Sequence, residues 1–228
     1  MTSTALIVGA SRTLGLALAA EYLRLGWNVI GTVRGADRTE LHDLADKSEG
    51  RLLVETVDIT QPDQIAALRD RLGDRTIDLL FVNAGITRGN VPIADVATDT
   101  FAEVLITNAL SPLRVIETLR PLVPANGTIG IMSSRQGSLS LNTNGGQDAY
   151  RASKSALNQL MRCYAARYAD DSHTLLLVNP GWVQTDLGGP GAPLTIDESI
   201  PGVVATINAQ AGKPGLQFLD YQGETVPW

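Results

Sequence analysis

Short apolar segments alternate with segments of helical periodicity along the whole chain, and this alternation constrains the fold more than any other feature. The short segments are apolar on both faces, as the strands of a parallel sheet covered on both sides must be. They span residues 5–8, 27–33, 52–57, 79–82, 128–132, 174–178 and 216–219. Apolar residues recur at helical spacing over residues 14–25, 62–72, 98–119 and 148–168.

This alternation predicts a doubly wound α/β domain. Parallel strands joined by helices require right-handed crossovers, which place helices on both faces of the sheet. No repeat or linker divides the 228 residues, so we expect one Rossmann-like domain over residues 1–228 with about seven strands. The one long irregular segment, residues 181–197, follows the sixth strand. We interpret it as a substrate-side loop, because open sheets bind ligands at the carboxyl ends of their strands.

Composition argues against several classes of partner. Lys and Arg total 18 against 24 Asp and Glu, a net charge of −6, which disfavours nucleic-acid and anionic membrane surfaces. No apolar run approaches the ~20 residues of a membrane span, and the start of the chain lacks the basic region of a signal peptide. The single Cys163 excludes an intramolecular disulfide, and no Cys/His cluster indicates a metal. We therefore expect a cytoplasmic protein that binds neither nucleic acid nor membranes.

A glycine-containing turn follows the first strand, with the sequence Gly9-Ala10-Ser11-Arg12-Thr13-Leu14-Gly15. Gly9 suits a tight turn, and Gly15 lets the next helix pack closely and present its first amides to a diphosphate. Short glycine patterns recur by chance, so the two glycines fit a nucleotide site and an ordinary strand–helix turn about equally well. A P-loop is excluded, because no Gly-Lys-Ser/Thr follows.

The end of the second strand indicates which dinucleotide would bind. An NAD site places Asp or Glu there to hold the ribose hydroxyls. Here the strand ends in Gly31-Thr32-Val33-Arg34, and Arg12 stands in the glycine turn. Two guanidinium groups suit a 2′-phosphate; the less favoured alternative is that both are solvated surface residues. We predict a preference for NADP(H) over NAD(H).

Four polar residues form a candidate catalytic set. Tyr150 and Lys154 are four residues apart and therefore share one helix face. A nearby ammonium and an oxidised nicotinamide would lower the pKa of the phenol from its usual value near 10. Ser134 follows the fifth strand, where its hydroxyl could bind a substrate carbonyl. Asn108 lies inside the predicted helix 98–119 and could open it for a water that reaches Lys154.

These residues resemble the motifs of the short-chain dehydrogenase/reductase superfamily, in its single-domain form. The resemblance extends over nearly the whole chain and also includes Asp58 in Val57-Asp58-Ile59-Thr60, Asn83-Ala84-Gly85 and Asn179-Pro180-Gly181. It implies that Tyr150 exchanges a proton with a small carbonyl or alcohol substrate, that Lys154 binds the nicotinamide ribose and lowers the pKa of Tyr150, that Ser134 orients the carbonyl and that Asn108 fixes a relay water. The implied cofactor-binding residues are Gly9, Ser11, Arg12, Thr13, Leu14, Gly15, Arg34, Asp58, Ile59, Asn83, Ala84, Gly85, Tyr150, Lys154, Pro180, Gly181, Val183 and Thr185.

Within the superfamily, the chain is similar to the branch of the bacterial C-factor proteins and the sniffer-type carbonyl reductases. The similar segments are residues 133–138, 144–146, 150–158, 180–186 and 226–228. One position departs from the superfamily pattern: Thr13 takes the place of a third glycine. Its Cβ would crowd a diphosphate unless the loop shifts or the Thr13 hydroxyl donates to a phosphate.

Two alternatives concern function and assembly. A cofactor-binding sensor with little or no turnover is compatible with Thr13 and with the C-factor likeness, whereas an extended-type epimerase would need more than the 48 residues that follow Pro180. The apolar face of helix 150–168 suits either the core of the chain or the interface of a homo-oligomer.

Overall fold

The computed structural model describes residues 2–228 and contains one seven-stranded sheet in the order β3-β2-β1-β4-β5-β6-β7. All six neighbouring pairs are parallel. The strands are β1 Thr4–Val8, β2 Asn28–Val33, β3 Leu52–Thr56, β4 Leu79–Val82, β5 Thr128–Met132, β6 Thr174–Asn179 and β7 Gly215–Asp220. Each predicted strand is present with its ends shifted by no more than one residue, and the predicted doubly wound Rossmann-like fold is confirmed.

Seven α-helices accompany the sheet: α1 Thr13–Arg24, α2 Glu40–Asp46, α3 Pro62–Leu72, α4 Thr98–Leu105, α5 Ser111–Leu119, α6 Asp148–Arg167 and α7 Ile196–Gln210. In the described part of the chain, none of them is long and apolar enough to cross a membrane. The alternation predicted a helix between the second and third strands but gave no bounds for α2, and it did not predict α7. The former has only seven residues, and the latter contains Pro201 and Gly202, which interrupt the periodic signal.

The predicted helix 98–119 is divided by a π-helical turn at Ile106–Leu110, which separates α4 from α5. The predicted irregular segment 181–197 ends two residues earlier than expected, because Thr195 begins α7 with a capping box to Glu198.

The helices cover both faces of the sheet and enclose two apolar cores. Helices α1, α2 and α7 pack on one face, while α3, α5 and α6 pack on the other. The inner side of α6 contributes Leu157, Met161 and Tyr164 to its core, whereas Ala152 and Leu160 of the same apolar face are exposed. Association of two copies through helix 150–168 stays a prediction.

The strand order reverses beside β1, which pairs with β2 on one side and with β4 on the other. The chain runs from β2 and β3 back across the sheet to reach β4. The connections directly beside this point lie on opposite faces, with α1 between β1 and β2 on one face and α5 between β4 and β5 on the other. A crevice therefore opens above the carboxyl ends of β1 and β4, the place where open α/β sheets bind their ligands.

Candidate active site

A cleft of about 1380 Å³ follows the carboxyl ends of the strands. It exceeds the roughly 300–1,000 Å³ typical of small-ligand pockets, so it has room for a dinucleotide together with a substrate. Apart from Gly15 and Asn108, every predicted site residue lines it. The structure therefore brings together the glycine turn, the end of β2, the start of α6 and the segment after β6.

Tyr150 and Lys154 lie in the first two turns of α6, at one end of this cleft. The Lys154 Nζ is 5.8 Å from the centroid of the Tyr150 ring. Lys154 is buried, with 4% of its surface exposed, and its Nζ donates to the Met132 carbonyl oxygen at 2.8 Å. Because that carbonyl ends β5, the ammonium is held between the helix and the sheet. It retains two further N–H donors for other partners.

Ser134 follows β5 directly and caps the short 3₁₀ turn Arg135–Gly137. Its Oγ accepts a hydrogen bond from the Gln136 backbone N–H at 3.1 Å. The hydroxyl proton is free to be donated, and the Ser134 side chain lines the cleft together with the Tyr150 phenol, whose pKa it lowers. The serine hydroxyl and the phenol can therefore act on one substrate oxygen.

Burial shifts the pKa values of Lys154 and Tyr150 in opposite directions. It lowers the pKa of Lys154 to about 8, because desolvation disfavours the ammonium. It raises the pKa of Tyr150 to about 12, and hydrogen bonding to Ser134 offsets only part of that rise. In the protein without cofactor the phenol is therefore neutral at pH 7. The expected lowering of the Tyr150 pKa concerns the complex with an oxidised nicotinamide and stays a prediction.

Asn108 lies in the π-helical turn and is fully buried. Its Nδ2 donates to the Ile86 carbonyl at 2.8 Å and to the Ser153 Oγ at 2.9 Å, and its Oδ1 accepts from the Ile86 N–H at 2.8 Å. Ser153 in turn donates to the Tyr150 carbonyl at 2.7 Å. The Asn108 side chain thus ties the loop after β4 to α6. Both N–H donors of the Asn108 amide are thereby used, and its contact with a relay water stays a prediction.

The glycine turn packs against the end of β4. Gly9 has a φ of +86°, and a Cβ there would lie 2.8 Å from that of Ala84. A Cβ on Gly15 would lie 2.1 Å from the Gly9 carbonyl oxygen, which itself accepts a hydrogen bond from the Asn83 Nδ2 at 2.9 Å. Gly15 therefore lies behind the cleft wall, where only glycine allows α1 this close approach.

The opposite end of the cleft carries exposed charges. Arg34 is exposed and forms no ion pair with any of residues 2–228, whereas neighbouring Arg38 is bound to both Asp43 and Asp46. Arg12 pairs with Asp186 at 2.9 Å, although 69% and 76% of these two side chains is exposed. Sequence reasoning missed this pair, because the two residues are 174 positions apart.

Asp58 follows β3 and lines the same end of the cleft together with Ile59. Its Oδ1 accepts from the Thr60 N–H at 2.9 Å and from the Thr60 hydroxyl at 2.7 Å. One oxygen of the Asp58 carboxylate therefore holds the local turn. The Asp58 backbone is engaged as well, because its N–H donates to the Gln64 Oε1 at 2.8 Å and its carbonyl accepts from the Gln61 N–H at 3.0 Å.

The segment after β6 contains no helix or strand, as predicted, but it is hydrogen-bonded within itself. Val183 and Leu194 form a parallel bridge, and the Thr185 Oγ accepts from the Gly188 N–H at 3.0 Å. The Trp182 Nε1 donates to the Gly188 carbonyl at 2.7 Å, which leaves the ring exposed at the cleft. The Pro180 carbonyl accepts from the Ser199 hydroxyl at 2.6 Å, so α7 fixes the start of this segment.

Gln147 is a cleft residue that sequence reasoning missed. It precedes α6 in a left-handed conformation, with a φ of +55°. Its N–H donates to the Asn90 Oδ1 at 2.7 Å, which joins the loop after β4 to the start of the helix that carries Tyr150. In the sequence, only its position three residues before Tyr150 indicated that Gln147 lines the cleft.

Comparisons with known proteins identify relatives that match this chain in sequence and in overall fold. The family model described as short chain dehydrogenase matches residues 3–192. A Burkholderia multivorans protein assigned to the short-chain dehydrogenases/reductases, solved with bound NADP, is 55% identical over 100% of both chains with a TM-score of 0.98. The carbonyl reductase Sniffer of D. melanogaster is 30% identical over 100% of both chains, with a TM-score of 0.89. C-signal of Myxococcus xanthus is 38% identical over 67% of this chain and 93% of its own length.

Proposed function

Because the chain belongs to the short-chain dehydrogenase family, we propose that it is an NADP(H)-dependent carbonyl reductase acting on a small-molecule carbonyl or alcohol. The family and its C-factor and sniffer-type branch, both expected from the sequence, are confirmed. The chain is accordingly an oxidoreductase of carbonyl and alcohol groups. One observation carries the proposal: Ser134, Tyr150 and Lys154 line the same cleft as the glycine turn.

The residues present fit a dinucleotide. The cleft runs from Arg34 to Tyr150, and the first turn of α1 has no side-chain cap, so its backbone N–H groups are available to a diphosphate. Asp58 and Ile59 would flank the adenine, and Asn83, Ala84 and Gly85 would line the middle of the cofactor. Pro180, Gly181, Val183 and Thr185 would cover the nicotinamide. A bound nicotinamide supplies or accepts the hydride at the substrate carbon.

The protein's part in the reaction is proton transfer and positioning. In the reductive direction, the Ser134 hydroxyl donates a hydrogen bond to the carbonyl oxygen and holds it near the phenol. Tyr150 then gives its proton to that oxygen as negative charge develops there. The Lys154 ammonium, anchored on the Met132 carbonyl, uses its remaining N–H groups to bind the ribose and to stabilise the phenolate.

The preference for NADP(H) is supported by the adenosine end of the cleft. No acidic residue ends β2, and the Arg34 guanidinium stands there without an ion-pair partner among residues 2–228. A planar guanidinium pairs well with phosphate oxygens. The Burkholderia relative with bound NADP agrees with this assignment.

A signalling protein that binds the dinucleotide without turnover is a second candidate, favoured by the likeness to C-signal and by Thr13. The complete Ser134, Tyr150 and Lys154 arrangement weighs against it, because a sensor has no need of a buried ammonium beside a phenol.

Replacing Tyr150 by Phe tests the proposal. With NADPH and a panel of aldehydes and ketones, we expect the wild-type protein to turn over and Tyr150→Phe to lose about 10²- to 10⁴-fold in kcat, because the proton donor is gone. NADPH binding should persist in the variant. Tyr168→Phe is the matched control, since that phenol bonds to Glu117 at the far end of α6. Retention of most activity by Tyr150→Phe would refute the mechanism, and an inactive wild-type protein that still binds NADPH would favour the sensor.

A further inference from the structure

Thr13 has an unusual conformation for its residue type. It is the first residue of α1 and has a φ of +47°, in the left-handed region that favours glycine and penalises a β-branched side chain. The other two non-glycine residues with positive φ in the described chain are Glu49 and Gln147, neither of them β-branched. A residue held in such a conformation usually serves a functional site.

The Thr13 hydroxyl makes no hydrogen bond to any of residues 2–228. Contacts within the protein therefore do not explain why a threonine stands at this position. The Thr13 side chain is half-buried in the cleft wall between Arg12 and Leu14. The neighbouring Arg12 side chain is already engaged by Asp186. The Thr13 hydroxyl is therefore a donor without a protein acceptor, in the turn where the diphosphate of a dinucleotide would lie.

Building on the proposed function, we propose that the Thr13 hydroxyl donates a hydrogen bond to a diphosphate oxygen of the cofactor. A glycine at this position would relieve the backbone but would offer the anion no side-chain donor. A hydroxyl bonded to an ionised phosphate gains more than one bonded to a neutral group. Because NADP(H) and NAD(H) share the diphosphate, Thr13 contributes to the affinity for both and does not discriminate between them.

The test measures equilibrium binding of NADPH and of NADH to the free protein by fluorescence titration, without substrate. Thr13→Val keeps the branched shape and removes the hydroxyl, and Thr13→Ser keeps the hydroxyl. We expect Thr13→Val to raise both dissociation constants by about tenfold or more, and Thr13→Ser to stay within about threefold of the wild-type protein. Thr76→Val is the matched control. Thr76 is exposed and precedes β4, so it lies at the amino ends of the strands, on the side of the sheet away from the cleft.

The Thr13→Gly variant tests whether the Thr13 side chain binds the cofactor diphosphate or hinders its approach. If the hydroxyl binds the diphosphate, this variant also loses about tenfold in affinity, even though its backbone is relaxed. Tighter binding by Thr13→Gly, or unchanged binding by Thr13→Val, would overturn the inference while leaving the reductase intact. Failure of the wild-type protein to bind either dinucleotide would instead refute the proposed function. Thermal unfolding of each free variant verifies that the fold is retained.

Discussion

The two ends of the cleft differ in the burial and hydrogen bonding of their polar side chains. At the Tyr150 end, Lys154 and Asn108 are buried, and their polar atoms are bonded to backbone groups of β5 and of the loop after β4. At the adenosine end, Arg12 and Arg34 are exposed, and the ion pair of Arg12 with Asp186 joins two well-solvated side chains. The catalytic end is thus pre-organised by burial, and the adenosine end relies on charges that rearrange easily.

This difference predicts which property each substitution alters. Changes at the buried end should alter the free energy of unfolding, its pH dependence and turnover, because unpaired buried groups are costly. Changes at the exposed end should alter cofactor affinity and leave the fold intact, because exposed ion pairs contribute little to stability.

Asn108→Ala should have the largest effect on stability. It leaves the Ile86 N–H and the Ile86 carbonyl without their 2.8 Å partners, and each unsatisfied buried group costs about 1–3 kcal/mol. We expect the free energy of unfolding to fall by about 2–5 kcal/mol in urea denaturation. Asn144→Ala, on an exposed loop, should stay within about 0.5 kcal/mol. An unchanged midpoint for Asn108→Ala would mean that the buried end is not held together as described.

Lys154→Met should remove a pH dependence of stability. The pKa of Lys154 is about 8 in the folded protein and 10.5 in the unfolded chain, so between these pH values the unfolded chain holds a proton that the folded chain has released. The free energy of unfolding of the wild-type protein therefore gains a contribution that rises through this window, on the order of 2–3 kcal/mol by pH 10.

Urea denaturation at pH 7.5, 9 and 10 measures this effect. The raised pKa of Tyr150 lowers stability from about pH 10 upwards, but it does so in both proteins and cancels in the difference between them. The difference between Lys154→Met and the wild-type protein should change across these pH values. Exposed Lys47→Met is the control and should follow the wild-type protein at every pH. A pH-independent difference would show that the Lys154 ammonium is not desolvated.

Arg34→Gln should change the affinity for NADPH and leave the stability of the fold unchanged. We expect the dissociation constant of NADPH to rise about tenfold, as for the loss of one charge-assisted hydrogen bond, and that of NADH to stay unchanged. Arg38→Gln is the matched control, because that guanidinium is already bound to Asp43 and Asp46. Equal weakening of both dinucleotides would remove Arg34 from the recognition of the 2′-phosphate.

Asp186→Asn should have the smallest effect. It breaks an exposed ion pair worth at most about 1 kcal/mol and frees Arg12 for a phosphate. NADPH should bind tighter by no more than about fivefold, with NADH unchanged, and the gain should vanish in the Arg12→Gln background. Weaker binding of both dinucleotides would show instead that the pair closes the cleft over the cofactor.

Regular secondary structure could be predicted wherever burial dictates composition. Strands β4 and β5 have the predicted bounds because a strand covered on both faces is apolar throughout. Helix α2 is too short to show a period, and in α7 Pro201 breaks the pattern although the helix continues through it. The π turn at Asn108 was foreseen only as a loosened helix, because its geometry depends on Ile86, 22 positions away.

By itself, the sequence determined which chemical groups the cleft contains: a phenol and an ammonium one helical turn apart, a serine after β5, and guanidinium groups where an acid is usual. Local spacing is sufficient for this, because helix and strand periods place neighbouring residues on known faces. Only the tertiary structure decided the hydrogen-bond partners and the backbone conformation of these residues. The Met132 carbonyl that anchors Lys154, the Ile86 backbone that binds Asn108 and the positive φ of Thr13 all arise from backbone atoms brought together by folding. Backbone groups are the same in every residue and therefore leave no signature in the sequence.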